Sequence, residues 1–454
     1  MQEQLKNGQV TRNLGITSAT AIVVANMIGT GILTTSGIMA GYMPDAFWVI
    51  GCWVLGGFIA LSGALCYSEL ATRMPEEGGE YIYLSRIYHP VLGFLTGWTS
   101  FLVGFSAPIA ASALSFVEYL FAGLNIATAD PASDLILIKK GIAIAVILIF
   151  ISIHYVGLKL GAAVQNILTV IKVLIIGGLA LVGILLGGRG EVFNSVPLAP
   201  EMGMGIGVAM MLVMFSYSGW NASSYIAGEL KNPGKTLPVS LVLGTGLVIL
   251  LYLSLNVFIF HALPFKEAQG TIAIVEAAAV STFGPWMGDI LGLIISIALL
   301  SSLSAFILIG PRVYYAMARD RLFFSFAARV HPRYKVPGHS ILIQGGIAII
   351  LLIIGTFEQL LIYIGFALNV FPWLAILGLF FARKKGIGET SAVRLWGYPF
   401  VPLFYLLSSM FLMIFAYAHR PVESSAAIIT ILAGVPIYYF WEKYIIRKKA
   451  QMQE

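Results

Sequence analysis

Asn26-Met27-Ile28-Gly29-Thr30-Gly31-Ile32-Leu33 interrupts the first long apolar run of the chain, and Met214-Phe215-Ser216-Tyr217-Ser218-Gly219-Trp220-Asn221 interrupts a later one. Each run is helix-length and apolar, and each breaks near its middle at glycine and small polar residues. In lipid no water reaches the backbone, so a spanning helix breaks only where protein, water or a ligand satisfies the freed N–H and C=O groups. Two such breaks in corresponding places of the two halves point to a binding site at mid-depth.

The surroundings agree with a membrane reading. The chain has 454 residues, 59% hydrophobic and 11% charged, where a typical soluble domain is roughly 25% charged. Apolar runs long enough to cross ~30 Å of hydrocarbon recur along it. Twelve spans are predicted, at 15–38, 46–70, 91–121, 139–157, 161–187, 203–229, 237–262, 286–316, 340–357, 359–382, 399–418 and 424–442. The expected fold class is therefore an all-α polytopic membrane protein. The first span follows a polar tail and has no small-residue cleavage site, so it is read as retained.

Of the 27 Lys and Arg residues, 21 fall in the tails, loops and span ends of one side of this arrangement, five on the other, and one, Lys172, deep within a span. The positive-inside rule makes the rich side cytoplasmic, with tails 1–14 and 443–454 both inside. The net charge of +6 is thus accounted for by topology, and no nucleic-acid partner is implied. The cysteines, Cys52 and Cys66, both fall in the second span. Fourteen residues of helix hold them ~21 Å apart, beyond the ~7 Å limit for a disulfide, so both are expected in apolar packing.

Broken span 1 opens a set of five spans, 15–187, and broken span 6 opens a second set, 203–382, leaving 399–442 outside both. An odd number of spans per set puts the sets in opposite orientations, an inverted repeat. Between 263 and 285, Ile272 to Phe283 is expected to form a short surface helix.

Glycines also serve as packing contacts in membrane helices, but the matching positions of the two breaks favour a site. A half-helix starting near Thr30 or Gly31 offers free N–H groups and a positive dipole end to an anion. Half-helices ending near Met27, Ile28, Phe215 and Ser216 offer free carbonyls to a cation. An α-amino acid carries both groups on one carbon and would be held by its backbone alone. Lys172, between Ile171 and Val173 of span 5, costs ~2.5–3.5 kcal/mol at the bilayer centre and needs a partner or a task. It either snorkels to the interface or sets its ammonium against the freed carbonyls of the first break, where a sodium ion could sit in a coupled transporter. Desolvation could also let it carry a proton.

The acids Glu69 and Glu229 lie at the inner ends of spans 2 and 6, where they are read as structural or as gating ion pairs; Glu118 is read as solvated, and no acid is expected in the pocket. His154 and His261 form no ligand cluster. Gly228 to Thr236 has five residues where a P-loop has four, and the sequence has no HExxH, GxSxG or CxxC. No cofactor, metal or catalytic residue is implied.

Gly29-Thr30-Gly31-Ile32, Phe215-Ser-Tyr-Ser-Gly-Trp220-Asn221 and Gly228-Glu-Leu-Lys-Asn-Pro-Gly-Lys-Thr-Leu-Pro238 resemble the amino acid–polyamine–organocation superfamily, most closely its L-type amino acid transporter branch. Tyr67-Ser-Glu-Leu-Ala-Thr-Arg-Met-Pro75 with Gly78-Gly79-Glu80-Tyr81, and Ala318-Arg319-Asp320-Arg321, resemble that family's cytoplasmic loops. The resemblance covers most of spans 1–10. It implies the LeuT-like fold, two inverted five-helix repeats with helices 1 and 6 discontinuous, working by alternating access in the cell membrane. It places the substrate carboxylate on the Gly29–Gly31 amides and the ammonium on carbonyls around Met27, Ile28, Phe215 and Ser218. Phe215 resembles the family's aromatic gate, Asn221 and Tyr252 match positions near the pocket, and Lys172 matches a lysine used structurally or for proton coupling. The remaining break residues, Ser216, Tyr217, Gly219 and Trp220, are included in the candidate site.

Two departures matter. Ser218 stands where many L-type members have a second glycine, which narrows the pocket toward small substrates. The outer loop around 122–138 has no cysteine, so no disulfide-linked ancillary subunit is expected there. The expectation is a stand-alone bacterial amino acid transporter in the lipid bilayer, a sodium-independent exchanger or facilitator of small-to-medium neutral L-amino acids. The alternatives are a proton-coupled permease of broad or cationic specificity using Lys172 and, from another class, a membrane sensor on a transporter fold.

Overall fold

The computed structural model describes residues 12–126, 133–188, 190, 196, 203–354, 357–390, 393–419 and 421–443. Most of the two expected polar tails, and the middle of the outer loop around 122–138, lie outside the described residues. Among those residues the chain is helical, with one isolated β-bridge, Leu14 to Leu230.

In chain order the helices are α1 (Ile16–Met27), α2 (Gly31–Ala40), α3 (Ala46–Arg73), α4 (Glu80–Ile87), α5 (Pro90–Thr99), α6 (Ser106–Gly123), α7 (Ser133–Val156) and α8 (Leu158–Leu186). There follow α9 (Gly203–Ser216), α10 (Pro233–Ala262), α11 (Ile274–Phe283), α12 (Trp286–Arg319), α13 (Gly338–Ile354), α14 (Phe357–Lys384), α15 (Phe400–His419) and α16 (Pro421–Trp441). Nine helical stretches among the described residues are long and apolar enough to cross a membrane, taking α1–α2 as one and α5–α6 as one; α9, α11 and α13 are shorter apolar helices. The short helix expected over Ile272–Phe283 is α11.

Both apolar runs break where the glycines fall. α1 stops at Met27 and α2 begins at Gly31. α9 stops at Ser216, and after a turn the chain resumes as a 3-10 segment, Ala222–Glu229. A third interruption has no counterpart in the sequence reading. Span 91–121 is divided by a π-helical turn, Ser100–Gly104, in which Phe105 N–H donates to the Ser100 carbonyl at 3.1 Å. Pro108 explains it: proline has no N–H to give the Gly104 carbonyl and its ring crowds that turn, so the ladder slips by one residue. Apolar periodicity survives such a slip, which hides it from a hydropathy reading.

Burial follows helical spacing. On α8, Gln165, Thr169, Lys172, Ile176 and Ala180 form one buried stripe, while Leu174, Leu181 and Leu185 are 68, 63 and 73% exposed on the opposite side. Side chains three or four apart share a helix face, so a lysine in that register points inward. α1 is the core helix, enclosed by α8, α10 and α12. Cys52 and Cys66 are buried and unbridged on α3.

The arginine-rich face is tied by ion pairs. Glu229 and Arg312 form a buried bidentate pair at 2.9 and 3.0 Å. Glu69 takes Arg73 and Arg383 and also accepts from the Leu395 amide. Glu77 meets Arg319 at 3.3 Å, and Tyr81 donates to Asp320 at 2.8 Å. Glu69 and Glu229 are therefore inter-helix clamps, and Glu118 pairs with Lys139 on the other side.

Candidate functional site

The two breaks touch, and glycine is what lets them. A Cβ on Gly31 would stand 2.5 Å from Ser216 Oγ and 3.0 Å from its Cα, closer than real contacts allow. Gly219, at φ +94°, packs reciprocally on Asn26, whose backbone carbon would lie 2.9 Å from an added Cβ. Gly29, by contrast, has nothing within 4 Å of its Cβ position. Two glycines close the crossing, and the third is open to the space beside it.

That space is a cavity of about 140 Å³. Of the residues expected at the site, Met27, Gly29, Thr30, Gly31, Phe215, Ser216, Ser218, Gly219, Trp220 and Asn221 line it. Among the described residues, no backbone carbonyl accepts from the amides of Gly29, Thr30, Gly31 or Ile32. These amides sit at the positive end of α2, an arrangement suited to a carboxylate.

Four expected residues are elsewhere. Tyr252 stands behind the crossing, where its single hydroxyl proton is shared between the Met27 carbonyl at 2.7 Å and the Ser216 carbonyl at 3.0 Å. Tyr217 is fully buried with its hydroxyl on the Trp53 carbonyl at 3.2 Å, and it packs against Trp53 and Tyr252. Ile28 and Lys172 face a smaller apolar pocket on the far side of the break. Lys172 does not snorkel. Only 1% exposed, it donates to the Ile28 carbonyl at 2.7 Å and to Ser302 Oγ at 2.8 Å, and Ser302 in turn donates to Ile28 at 2.8 Å.

These contacts alter the expected ammonium site. The carbonyls of Met27, Ile28 and Ser216 already accept side-chain donors, and that of Phe215 accepts the Ser218 amide at 3.1 Å. A carbonyl has two lone pairs, so each keeps limited capacity. Asn26 also borders the cavity; its amide nitrogen donates to the Ile22 carbonyl at 2.9 Å, and its Oδ1 is closed off from solvent with no hydrogen-bond partner among the described residues. A buried, unpartnered acceptor costs about 1–3 kcal/mol, and a ligand reaches this one only when the break opens around it.

The expectation of an acid-free pocket is overturned. Glu80, the first residue of α4, lines the cavity. It sits in a stretch that reads in sequence as loop, and no local pattern reveals that the loop folds back under the second break. Ser302 was legible: Ser301-Ser302-Leu303-Ser304 is a polar run inside an apolar span, and all three serines face inward. Ser100 and Gly104 of the π-helical turn, with Thr99 and Phe105 flanking it, also line the cavity, in line with the frequency of such turns at functional sites.

A bundle of apolar, span-length helices crossed by two broken helices around a small polar-edged cavity is an architecture suited to a membrane transporter. The amino acid permease family model matches residues 14–437, so the chain belongs to that family, within the L-type-like branch of the amino acid–polyamine–organocation superfamily. Over its length it is similar to the serine/threonine exchanger SteT of Bacillus subtilis (strain 168), with 30% identity over 95% of this chain and 97% of the relative. It is also similar to the b(0,+)-type amino acid transporter 1 of Mus musculus, with 27% identity over 97% of this chain and 90% of that one. The large neutral amino acids transporter small subunit 2 of Homo sapiens is 28% identical over 95% of this chain and 81% of its own length. These relatives are transporters, not enzymes, and the chain is an amino acid transporter.

Proposed function

We propose that the chain is a sodium-independent exchanger of small neutral L-amino acids. The observation that carries this reading is the row of free Gly29–Gly31 amides on the cavity wall, beside the carbonyl ends of α1 and α9. These groups match the carboxylate and ammonium of one zwitterion. Lys172 supports sodium independence, because its ammonium takes the Ile28 carbonyl and Ser302 hydroxyl at the end of α1, where a cation meets the negative dipole end. Ser218 on the cavity wall favours a small side chain, and the serine/threonine exchanger among the relatives agrees with that class.

In this reading the chain has twelve spans in a LeuT-like arrangement of two inverted five-helix repeats, 15–187 and 203–382, with 399–442 outside them. It sits in the cell membrane with both tails cytoplasmic, and it works without a disulfide-linked subunit. The ion pairs on the arginine-rich face then close the cytoplasmic side while the cavity is loaded, and alternating access requires them to part.

The test is counterflow in proteoliposomes. Labelled serine should enter vesicles preloaded with unlabelled serine, with or without sodium, and should enter empty vesicles far more slowly. Accumulation in empty vesicles driven by a pH gradient would replace exchange with the proton-coupled permease.

A further inference from the structure

The buried carboxyl of Glu80 has no part in the zwitterion site, yet it lines the same cavity. Its side chain is enclosed by neutral donors. Tyr67 Oη donates to Oε1 at 2.8 Å and Asn221 Nδ2 donates to the same oxygen at 2.5 Å. The Tyr225 hydroxyl, which also accepts from Asn221 at 3.3 Å, completes the group. No ion pair to Glu80 forms among the described residues.

The arginines of the inner face are engaged with other acids. From α3 and α14, Arg73 and Arg383 are held by Glu69; from α12, Arg312 is held by Glu229 and Arg319 by Glu77. The titratable groups that face Glu80 are tyrosines: Tyr67 on α3, Tyr83 on its own helix, Tyr225 on the 3-10 segment and Tyr405 on α15. α5 and the π-helical turn carry no ionisable side chain. A carboxylate here would be a buried charge balanced only by neutral dipoles, which disfavours the ionised form.

We propose that Glu80 is a proton-binding site of this cavity and that Asn221 passes its protonation state to the second break. The link is chemical. An amide donates through nitrogen to a carboxylate, or, turned over, accepts through oxygen from a carboxylic acid. Asn221 follows Trp220 in the cavity wall, so its orientation bears on the turn that holds the substrate. The segment before Glu80 is clamped to the same element, since Gly78 N–H donates to the Tyr225 carbonyl at 3.0 Å and Gly79, at φ +52°, lies against the Tyr225 ring. Parting of the arginine-rich face would free this segment and wet the carboxyl.

Burial pushes the Glu80 carboxyl up to about 7 in this conformation, whereas in water it would return toward ~4.3. The conformation with the higher value holds the proton more tightly. It is therefore favoured at acid pH and loses that advantage as pH rises through neutrality.

The proposal rests on the cavity being the amino acid site, and two independent measurements separate the two ideas. Infrared titration of the purified protein in lipid, without substrate, should show the C=O band of a buried carboxylic acid lost between about pH 6 and 8, and Glu80→Gln should abolish that band. Serine exchange should slow or quicken across the same range in the wild type and lose that inflection in Glu80→Gln. Tyr67→Phe removes a donor to the carboxylate and should move both midpoints about one unit higher. Wild-type inflection retained in Glu80→Gln, or midpoints unmoved in Tyr67→Phe should Glu80→Gln fail to fold, overturns the proposal. An intact titration with no serine exchange in any variant overturns the amino acid reading instead.

Discussion

Lys172 Nζ lies 2.7 Å from the Ile28 carbonyl oxygen, so a lysine from the fifth predicted span stabilises the end of the first half-helix. Ser302 of α12 joins the same pair, and three helices converge on one freed carbonyl. Lys172→Ala would leave the Ile28 carbonyl with a single donor and open a void at the crossing. The expected result is a protein that reaches the membrane but exchanges at least tenfold more slowly, with a stability loss of about 1–3 kcal/mol. Counterflow and melting measured on the same preparation check both parts, and wild-type flux would show that the lysine is a bystander.

Neighbouring glycines should respond differently to one methyl group. Gly29→Ala places it in open space beside the cavity, so folding is preserved and substrate affinity falls. Gly31→Ala drives it into Ser216, and the cost falls on assembly of the two breaks, about 1–3 kcal/mol for overpacking. Thermal shift with and without serine separates the outcomes. Equal losses of stability in both variants would contradict the geometry.

Tyr252→Phe removes the hydroxyl that joins the Met27 and Ser216 carbonyls and keeps the ring against Trp53. Because two buried acceptors lose a donor, a loss of about 1–3 kcal/mol is expected. The crossing would be looser, so KM for exchange should rise more than the maximal rate falls. An unchanged KM would show that the bridge does not position the site.

Arg312→Met leaves Glu229 buried without its cation, and such a broken pair costs about 3–5 kcal/mol. Glu229→Gln combined with Arg312→Met removes both charges and should recover much of the stability. A double-mutant cycle on melting temperature measures this, with additive losses as the contrary result.

Much of the architecture is legible in one dimension. The breaks at Gly29–Gly31 and Ser218–Gly219, the span lengths, the inward register of Lys172 and the isolation of Cys52 from Cys66 all follow from local rules. Apolar length, helical spacing and the insolubility of bare backbone in lipid act over a few turns. Pro108 shows where such rules fail: one missing N–H moves the ladder by a residue, and the composition of the span conceals it.

The sequence alone determined that the chain is a bundle of membrane helices with two paired interruptions. Which groups remain free at those interruptions was settled by contacts across the chain. Lys172 meets a freed carbonyl of the first break, one of the two expected outcomes, while Tyr252 occupies carbonyls that the sequence leaves open and Glu80 enters a cavity that no local pattern assigns to it. The physical reason is the same in each case: a helix period says which way a side chain points, but the donor or acceptor it meets is brought there by another helix.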